Sequence, residues 1–201
     1  MSRRTQAQRR TETIARLVQA TIDAMHEVGY AATTIKEICA RAGVSQGGLF
    51  RHFATRHDLI VAAADEVARR QAASFEGDLA GIEGDPIEAA VRSVRARCHS
   101  PVNAVWHELM VACRTDPALR EAVQPAAARY RDAIEALARA VLDAAPGVSE
   151  AAAWLVIHCF DGEAVGGTLL GDPDGAERRV AWVVDTLRRE LVGASERADR
   201  P

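Results

Sequence analysis

The sequence predicts an all-α protein of about nine helices, on three observations. Ala, Leu and Val dominate a chain that is 48% apolar but only 4% aromatic, a composition that favours helices over a sandwich or barrel. Turn signals are spaced 10 to 28 residues apart, too widely for short strands. Asp85-Pro86, Ser100-Pro101 and Asp116-Pro117 each pair an N-cap residue with a proline at the first helical position, marking three helix starts. At 201 residues the chain is long enough to bury a sizeable core.

Taken in order, Ile14, Leu17, Val18, Ile22, Met25 and Val28 recur every three or four residues, which predicts a first helix over residues 7–28 that stops at Gly29. Thr34 and Glu37 form a capping box opening a short second helix whose apolar side is Ile35, Ile38, Cys39 and Ala42. Gly43 supplies a sharp turn, and Ser45 caps a third short helix expected to end near Phe53. Thr55 and Asp58 are a second capping box, opening a fourth helix to Phe75. "EGDLAGIEGD", residues 76–85, is the expected boundary loop.

Three helices follow from the proline-marked starts, and Pro125 is expected to kink or interrupt the last of these, residues 117–144. Ser149 caps a helix to about Leu170, and Val180, Val183, Val184, Leu187 and Leu191 stripe a final one from Pro173 to Val192. The expected domains are 1–54, 55–195 and a frayed tail over 196–201.

The net charge of −3 hides an asymmetry. Residues 1–60 hold nine Lys/Arg and five Asp/Glu, whereas the rest hold sixteen and twenty-three. A basic first module on an acidic body is the pattern expected if only that module meets a polyanion; chance clustering of solvated charge is the plainer alternative. No apolar run approaches the ~20 residues that span a bilayer, and "MSRRTQAQRRTET" lacks the apolar stretch of a secretory signal, so a cytoplasmic location is expected. Cys39, Cys98, Cys113 and Cys159 lie far apart without CxxC, as packed thiols would.

Two short helices around Ala42-Gly43-Val44 make a helix-turn-helix, a unit that can lay its second helix in the DNA major groove. Gln46, one residue past the Ser45 cap, can reach a base edge there, and Gly47 and Gly48 remove bulk where backbone and duplex would meet. A surface αα-corner is the competing reading. The run from Thr11 to Leu59, with "GYAATTIKEICARAGVSQGGLFRHFATRHDL" at its heart, resembles the DNA-binding domain of the tetracycline-repressor (TetR) family of transcriptional regulators. The glycine after the first helix, the Thr cap, the Ala-Gly-Val turn, the Leu-aromatic-x-His-Phe run and the leucine opening the fourth helix all fall in register.

The resemblance implies a homodimer that binds double-stranded DNA at a palindromic operator and is released by a small-molecule effector held in a larger C-terminal helical domain. It assigns Thr34 to a phosphate, Ser45, Gln46 and Gly47 to bases or nearby backbone, and Phe50, His52 and Arg56 to the duplex backbone. Phe50 stands where the family usually has Tyr, so the phenol is absent; Arg56 replaces the usual Lys and adds a fork suited to phosphate. Arg51 lies on the same tip, and Arg3, Arg4, Arg9 and Arg10 are candidates for an arm toward the duplex.

The resemblance also places dimerisation on the last two helices. Gly162, Ala164, Gly166, Gly167 and Gly171 suit close helix approach, and Trp182 suits burial against a partner, unless these residues pack within the subunit. Trp106, His107, Met110 and Cys113, spaced along one helix, together with His158, are the expected lining of the effector pocket, with plain core as the alternative. Cys98, His99, His107 and Cys113 match no tetrahedral zinc spacing, so no metal is expected, and no cofactor. Asp161 and Glu163 point about 200° apart on a helix with no nucleophile nearby, so no catalysis is expected. Two rivals remain at this stage: catalysis in the body through His107 or His158, and an interaction dimer without DNA binding.

Overall fold

The computed structural model describes residues 5–79, 84–142 and 148–198, and every regular element among them is a helix. In order these are α1 (Gln6–Ala32), α2 (Ile35–Ala42), α3 (Gln46–Leu49), α4 (Arg56–Leu79), α5 (Pro86–Cys98), α6 (Pro101–Cys113), α7 (Pro117–Leu142), α8 (Val148–Leu170) and α9 (Pro173–Ala198). Arg3, Arg4, residues 80–83 of the expected boundary loop and residues 199–201 of the expected tail lie outside the described residues.

The chain divides into two compact units that do not follow chain order. Residues 1–70 and 101–128 form the first, residues 71–100 and 129–201 the second, so α4 and α7 each contribute to both. The first unit thus holds the helix-turn-helix together with α6 and the first half of α7.

In the first unit, α1 packs on α2 and α6. Its core joins Leu17, Ile22 and Met25 of α1 to Ile38 of α2, Leu49 of α3, Leu59 and Ile60 of α4, and Val105 and Leu109 of α6, all nearly or wholly shielded from water. Each such side chain contributes roughly 1.5–3 kcal/mol by burial. Local signals set the ends. Thr5 and Gln8 form a reciprocal capping box at the start of α1. Gly29 leaves helical geometry at φ 78°, ψ 166°, inside what continues as helical turns to Ala32. Thr34 accepts from the Glu37 N–H at 3.2 Å, but the Glu37 carboxylate takes Arg41 at 2.7 Å, so only the Thr half of the expected box appears among the described bonds. Gly43 ends α2 in the left-handed region at φ 59°, and the Arg16 guanidinium of α1 donates to the carbonyls of Ala42 and Gly43 beyond that end.

The Thr55–Asp58 box opens α4, with Thr55 N–H to Asp58 at 2.9 Å and Asp58 N–H to Thr55 at 3.1 Å. Further along, Glu66 accepts from Arg69 and Arg70 at 2.7 Å each, and Arg70 reaches Gln19 of α1 at 2.6 Å. Hydrogen bonding from Arg69, reinforced by Arg70, outweighs burial and draws the Glu66 carboxyl from the usual 4.5 to about 2. A folded-state pKa below the unfolded one stabilises the fold above the unfolded value and is lost as pH falls toward the folded one. Wild type should therefore exceed Glu66→Gln in urea midpoint at pH 6, with the difference fading between pH 4.5 and 2; an unchanging difference would contradict the assignment.

Pro125 lies inside α7 without interrupting it, which leaves the kink as the remaining form of the expectation. It is exposed, and the buried side chains on either side, Leu119, Val123, Ala126 and Tyr130, hold the helix through the one missing hydrogen bond. In the second unit, α8 starts at Val148, one residue ahead of the expected cap, and the buried Ser149 hydroxyl has no bonding partner among the described residues. Phe160 of α8, fully buried, centres a core of Val91, Cys98, Val156, Val180, Val183 and Val184. Glu163 of α8 is almost covered and accepts from Arg95 of α5 and Arg179 of α9, tying three helices by one carboxylate.

Candidate nucleic-acid interface and effector groove

The tip after the Gly43 turn is built to expose its first residues and bury one anchor. Ser45 caps α3 by accepting from Gly48 N–H at 3.1 Å. Leu49 is fully buried and fixes α3 on the core, whereas Ser45, Gln46 and Gly47 face water and Phe50 is half exposed. The two glycines divide the work assigned to both. A side chain at Gly47 would meet nothing within 4 Å, so this position keeps the outer surface low. At Gly48 a Cβ would lie 3.0 Å from Val44 and 3.2 Å from Ser45, so this glycine serves the cap instead. The third helix is also shorter than expected, ending at Leu49, with residues 50–52 continuing as turns.

Beside the tip, Arg51 and His52 share an open groove of about 690 Å³ with Gln6, Ala7, Arg9, Arg10 and Thr13 of α1. Its walls carry three arginines and a histidine and no carboxylate, a composition that favours phosphate. Arg9 and Arg10 are therefore part of a helix wall here. Thr34 is exposed at the start of α2.

Arg56 is turned differently from its expected role as a phosphate contact. Its Nε donates to the Thr33 carbonyl at 2.6 Å and its Nη2 to the Tyr30 carbonyl at 2.5 Å, while the guanidinium stacks 4.7 Å above the Tyr30 ring. The fork fastens α4 to the end of α1, where the Tyr30 carbonyl also accepts from the Thr33 N–H at 3.3 Å.

Of the five expected effector-pocket residues, the structure brings three together. Trp106, Met110 and Cys113 of α6 line a groove of about 440 Å³ with Pro117, Arg120, Glu121, Val123, Gln124 and Ala127 of α7, all within the first unit. The volume is within the range of small-molecule sites. His107 turns to Asn103, 3.4 Å away, and does not line the groove. His158 does not line it either: it lies exposed on α8 of the second unit with its ring 5.6 Å from Trp154. Its position in the turn puts it beside exposed Leu155 and Gly162 rather than on the Val156–Phe160 core face.

The sequence profile of the bacterial regulatory proteins, tetR family, matches residues 17–63, the span from the α1 core to α4. An HTH-type transcriptional regulator of Mycobacterium tuberculosis is 43% identical over 193 residues, covering 94% of this chain and 99% of the relative. The chain belongs to the TetR family. It is similar also to the HTH-type transcriptional regulator CymR of Pseudomonas putida, 31% identical over 88% of this chain and 89% of that one. Among solved structures, a TetR-family member from Streptomyces coelicolor A3 superposes with a TM-score of 0.65 at 25% identity, covering 89% and 97% of the two chains. GusR of Salmonella enterica matches at 0.65 and 24%, covering 91% and 95%, a likeness of fold alone. TetR-family regulators bind DNA and form dimers, a non-enzymatic class, and this chain is a DNA-binding transcriptional regulator. Among the described residues no helix is long and apolar enough to cross a membrane.

Sequence reasoning missed the Arg56 staple, the Arg16 cap and a carboxylate of α6, Glu108, that accepts from Tyr30 N–H at 2.7 Å. A lone arginine or glutamate on a helix carries no local pattern that names a partner 26 or 78 residues away.

Proposed function

We propose that this TetR-family protein is a cytoplasmic repressor that grips a palindromic operator as a homodimer and is released by a small-molecule effector. The observation that carries the DNA contacts is the exposed tip, Ser45, Gln46, Gly47, Phe50 and Arg51, continuing into a groove free of carboxylates. In this reading Gln46 reads a base edge through its amide, Gly47 lets the backbone approach, and Thr34, Arg51 and His52 hold phosphates. Phe50 offers ring contact only. Arg56 serves by positioning the module.

The test is selection of duplexes from a random library by the purified protein. Enrichment of an inverted repeat supports the reading; no enrichment at low salt sinks it and favours an interaction dimer. If the groove holds phosphates, replacing Arg9 and Arg10 by Ala should weaken the selected and a random duplex by the same factor. It should also flatten the slope of log affinity against log salt by roughly 3.6, two contacts being lost from each of the two subunits. An unchanged slope would remove both arginines from the interface.

Dimerisation is assigned to α8 and α9. Leu155, Val165 and Leu169 recur on α8 with exposures of 72%, 58% and 89%, and Trp182 of α9 is 66% exposed. A side chain at Gly162 or Gly167 would meet nothing within 4 Å, which speaks against packing of these glycines inside the subunit. An apolar stripe with small residues is the surface that a facing helix pair covers.

The effector is assigned to the α6/α7 groove. Trp106 and Met110 supply an apolar wall and Arg120, Glu121 and Gln124 supply donors and acceptors, a lining suited to a flat apolar molecule with a polar end. The second unit has a cavity lined wholly by apolar side chains, including Val91, Ile134 and Val156, but it measures about 50 Å³. A cavity that admits benzene is about 150 Å³, so this one is a packing defect by comparison.

A further inference from the structure

We infer that Glu108 couples occupancy of the α6/α7 groove to the helix-turn-helix by holding the Tyr30 amide; the inference rests on the effector-groove reading above. Three contacts converge on the short segment between the α1 break and α2. The Gly29 break turns the Tyr30 N–H toward α6, where the Glu108 carboxylate accepts it at 2.7 Å. The Tyr30 and Thr33 carbonyls accept from Arg56 of α4. The Thr33 hydroxyl, fully buried, donates to the Gly29 carbonyl at 2.8 Å. The next residue, Thr34, is the N-cap of α2. One five-residue block is therefore bonded to α6 on one side and to α4 on another, and it leads directly into the DNA-reading pair.

Glycine suits position 29 by its backbone, and a side chain there would crowd the carboxylate. Its φ of 78° is left-handed, and a Cβ there would lie 3.3 Å from the Glu108 Oε2.

Glu108 also has the right phase on α6. At about 100° per residue it lies roughly 200° around the helix from Trp106, with Met110 and Cys113 on the Trp106 side. The groove and the carboxylate thus occupy opposite faces of the same two-ended rod. A molecule wedged between Trp106 and α7 displaces or rolls α6, and the far face must then stretch, carry along or release the Tyr30 amide. Because α1, α2, α4 and α6 contribute to one compact unit, the signal needs no transfer through the other. The shift in DNA affinity equals the difference in how well the two arrangements of this block accept the wedge.

The effector is unidentified, so a built-in wedge replaces it. Ala127→Phe puts a ring into the groove from α7, and binding to the library-selected duplex is measured by anisotropy for wild type, A127F, E108A and A127F/E108A. Glu108 is exposed, so its truncation leaves the core intact. A127F is expected to weaken DNA binding tenfold or more with Glu108 present and less than twofold with Ala at 108. Gln at 108 keeps an acceptor oxygen of the same reach, and A127F/E108Q should recover at least half of the logarithmic effect, which a purely structural role would not predict. The Tyr30 amide resonance should move on introducing A127F only when residue 108 is Glu or Gln. A wedge effect of equal size in E108A overturns the coupling and leaves the groove standing. A silent A127F in a protein that binds DNA removes the groove reading and the coupling together.

Discussion

Substituting Leu155 and Trp182 by Asp is expected to yield a folded monomer whose affinity for the selected duplex falls about 100-fold or more. Both side chains are largely in water in the single subunit, at 72% and 66% exposure, so the subunit's own core does not depend on them. In the proposed dimer each would become an unpaired carboxylate in an apolar contact, which association cannot tolerate without strong compensation. A dimer binds two half-sites as one event, and linkage of this kind multiplies affinity by roughly 10² to 10⁴; a monomer forfeits that factor while each head keeps its own contacts. Light scattering and anisotropy on the same sample provide the check. A double variant that remains dimeric refutes the assignment to α8 and α9, and a monomer that binds as tightly as wild type refutes the two-headed reading.

Arg56→Ala should destabilise the protein by about 2–3 kcal/mol, the scale of charge-assisted hydrogen bonds lost from a partly buried site. The Tyr30 and Thr33 carbonyls lose their α4 donors and the Tyr30 ring loses the stacked guanidinium. Arg56→Lys discriminates the staple from a phosphate contact. Lysine keeps the charge, so a phosphate contact would survive in large part; one ammonium cannot span both carbonyls in the planar geometry of the fork. The expected result is a loss of stability in both variants, with the salt dependence of DNA binding unchanged once binding is corrected for the folded fraction. A stable Lys variant with a flatter salt slope would return Arg56 to the duplex backbone.

Much of the head was legible because its determinants lie within a few residues of one another. Thr34, Gly43, Ser45 and the Thr55–Asp58 box act through bonds to the next turn, and each appears where its spacing places it. The errors have equally local causes. Pro125 left a kink and a break both open because periodicity does not reveal the buried flanks that carry α7 through it. Gly47 and Gly48 look alike in sequence, and only the Val44 methyl beside Gly48 separates an open surface from a filled one. His158 shares its helix with core residues, but its phase points it outward.

By itself the amino-acid order determined an all-helical chain, a basic capped helix-turn-helix near its start, and a family membership carried by motifs in fixed register. Those properties follow from backbone preferences and periodicities that decay within one or two turns. The tertiary structure alone decided that α6 and half of α7 join the DNA-reading unit, that Arg56 bonds the end of α1, and that Glu108 meets the Tyr30 amide across 78 positions. The reason is that such pairings depend on which helix faces pack together, and packing is settled by the burial of the whole apolar set at once rather than by any neighbouring residue.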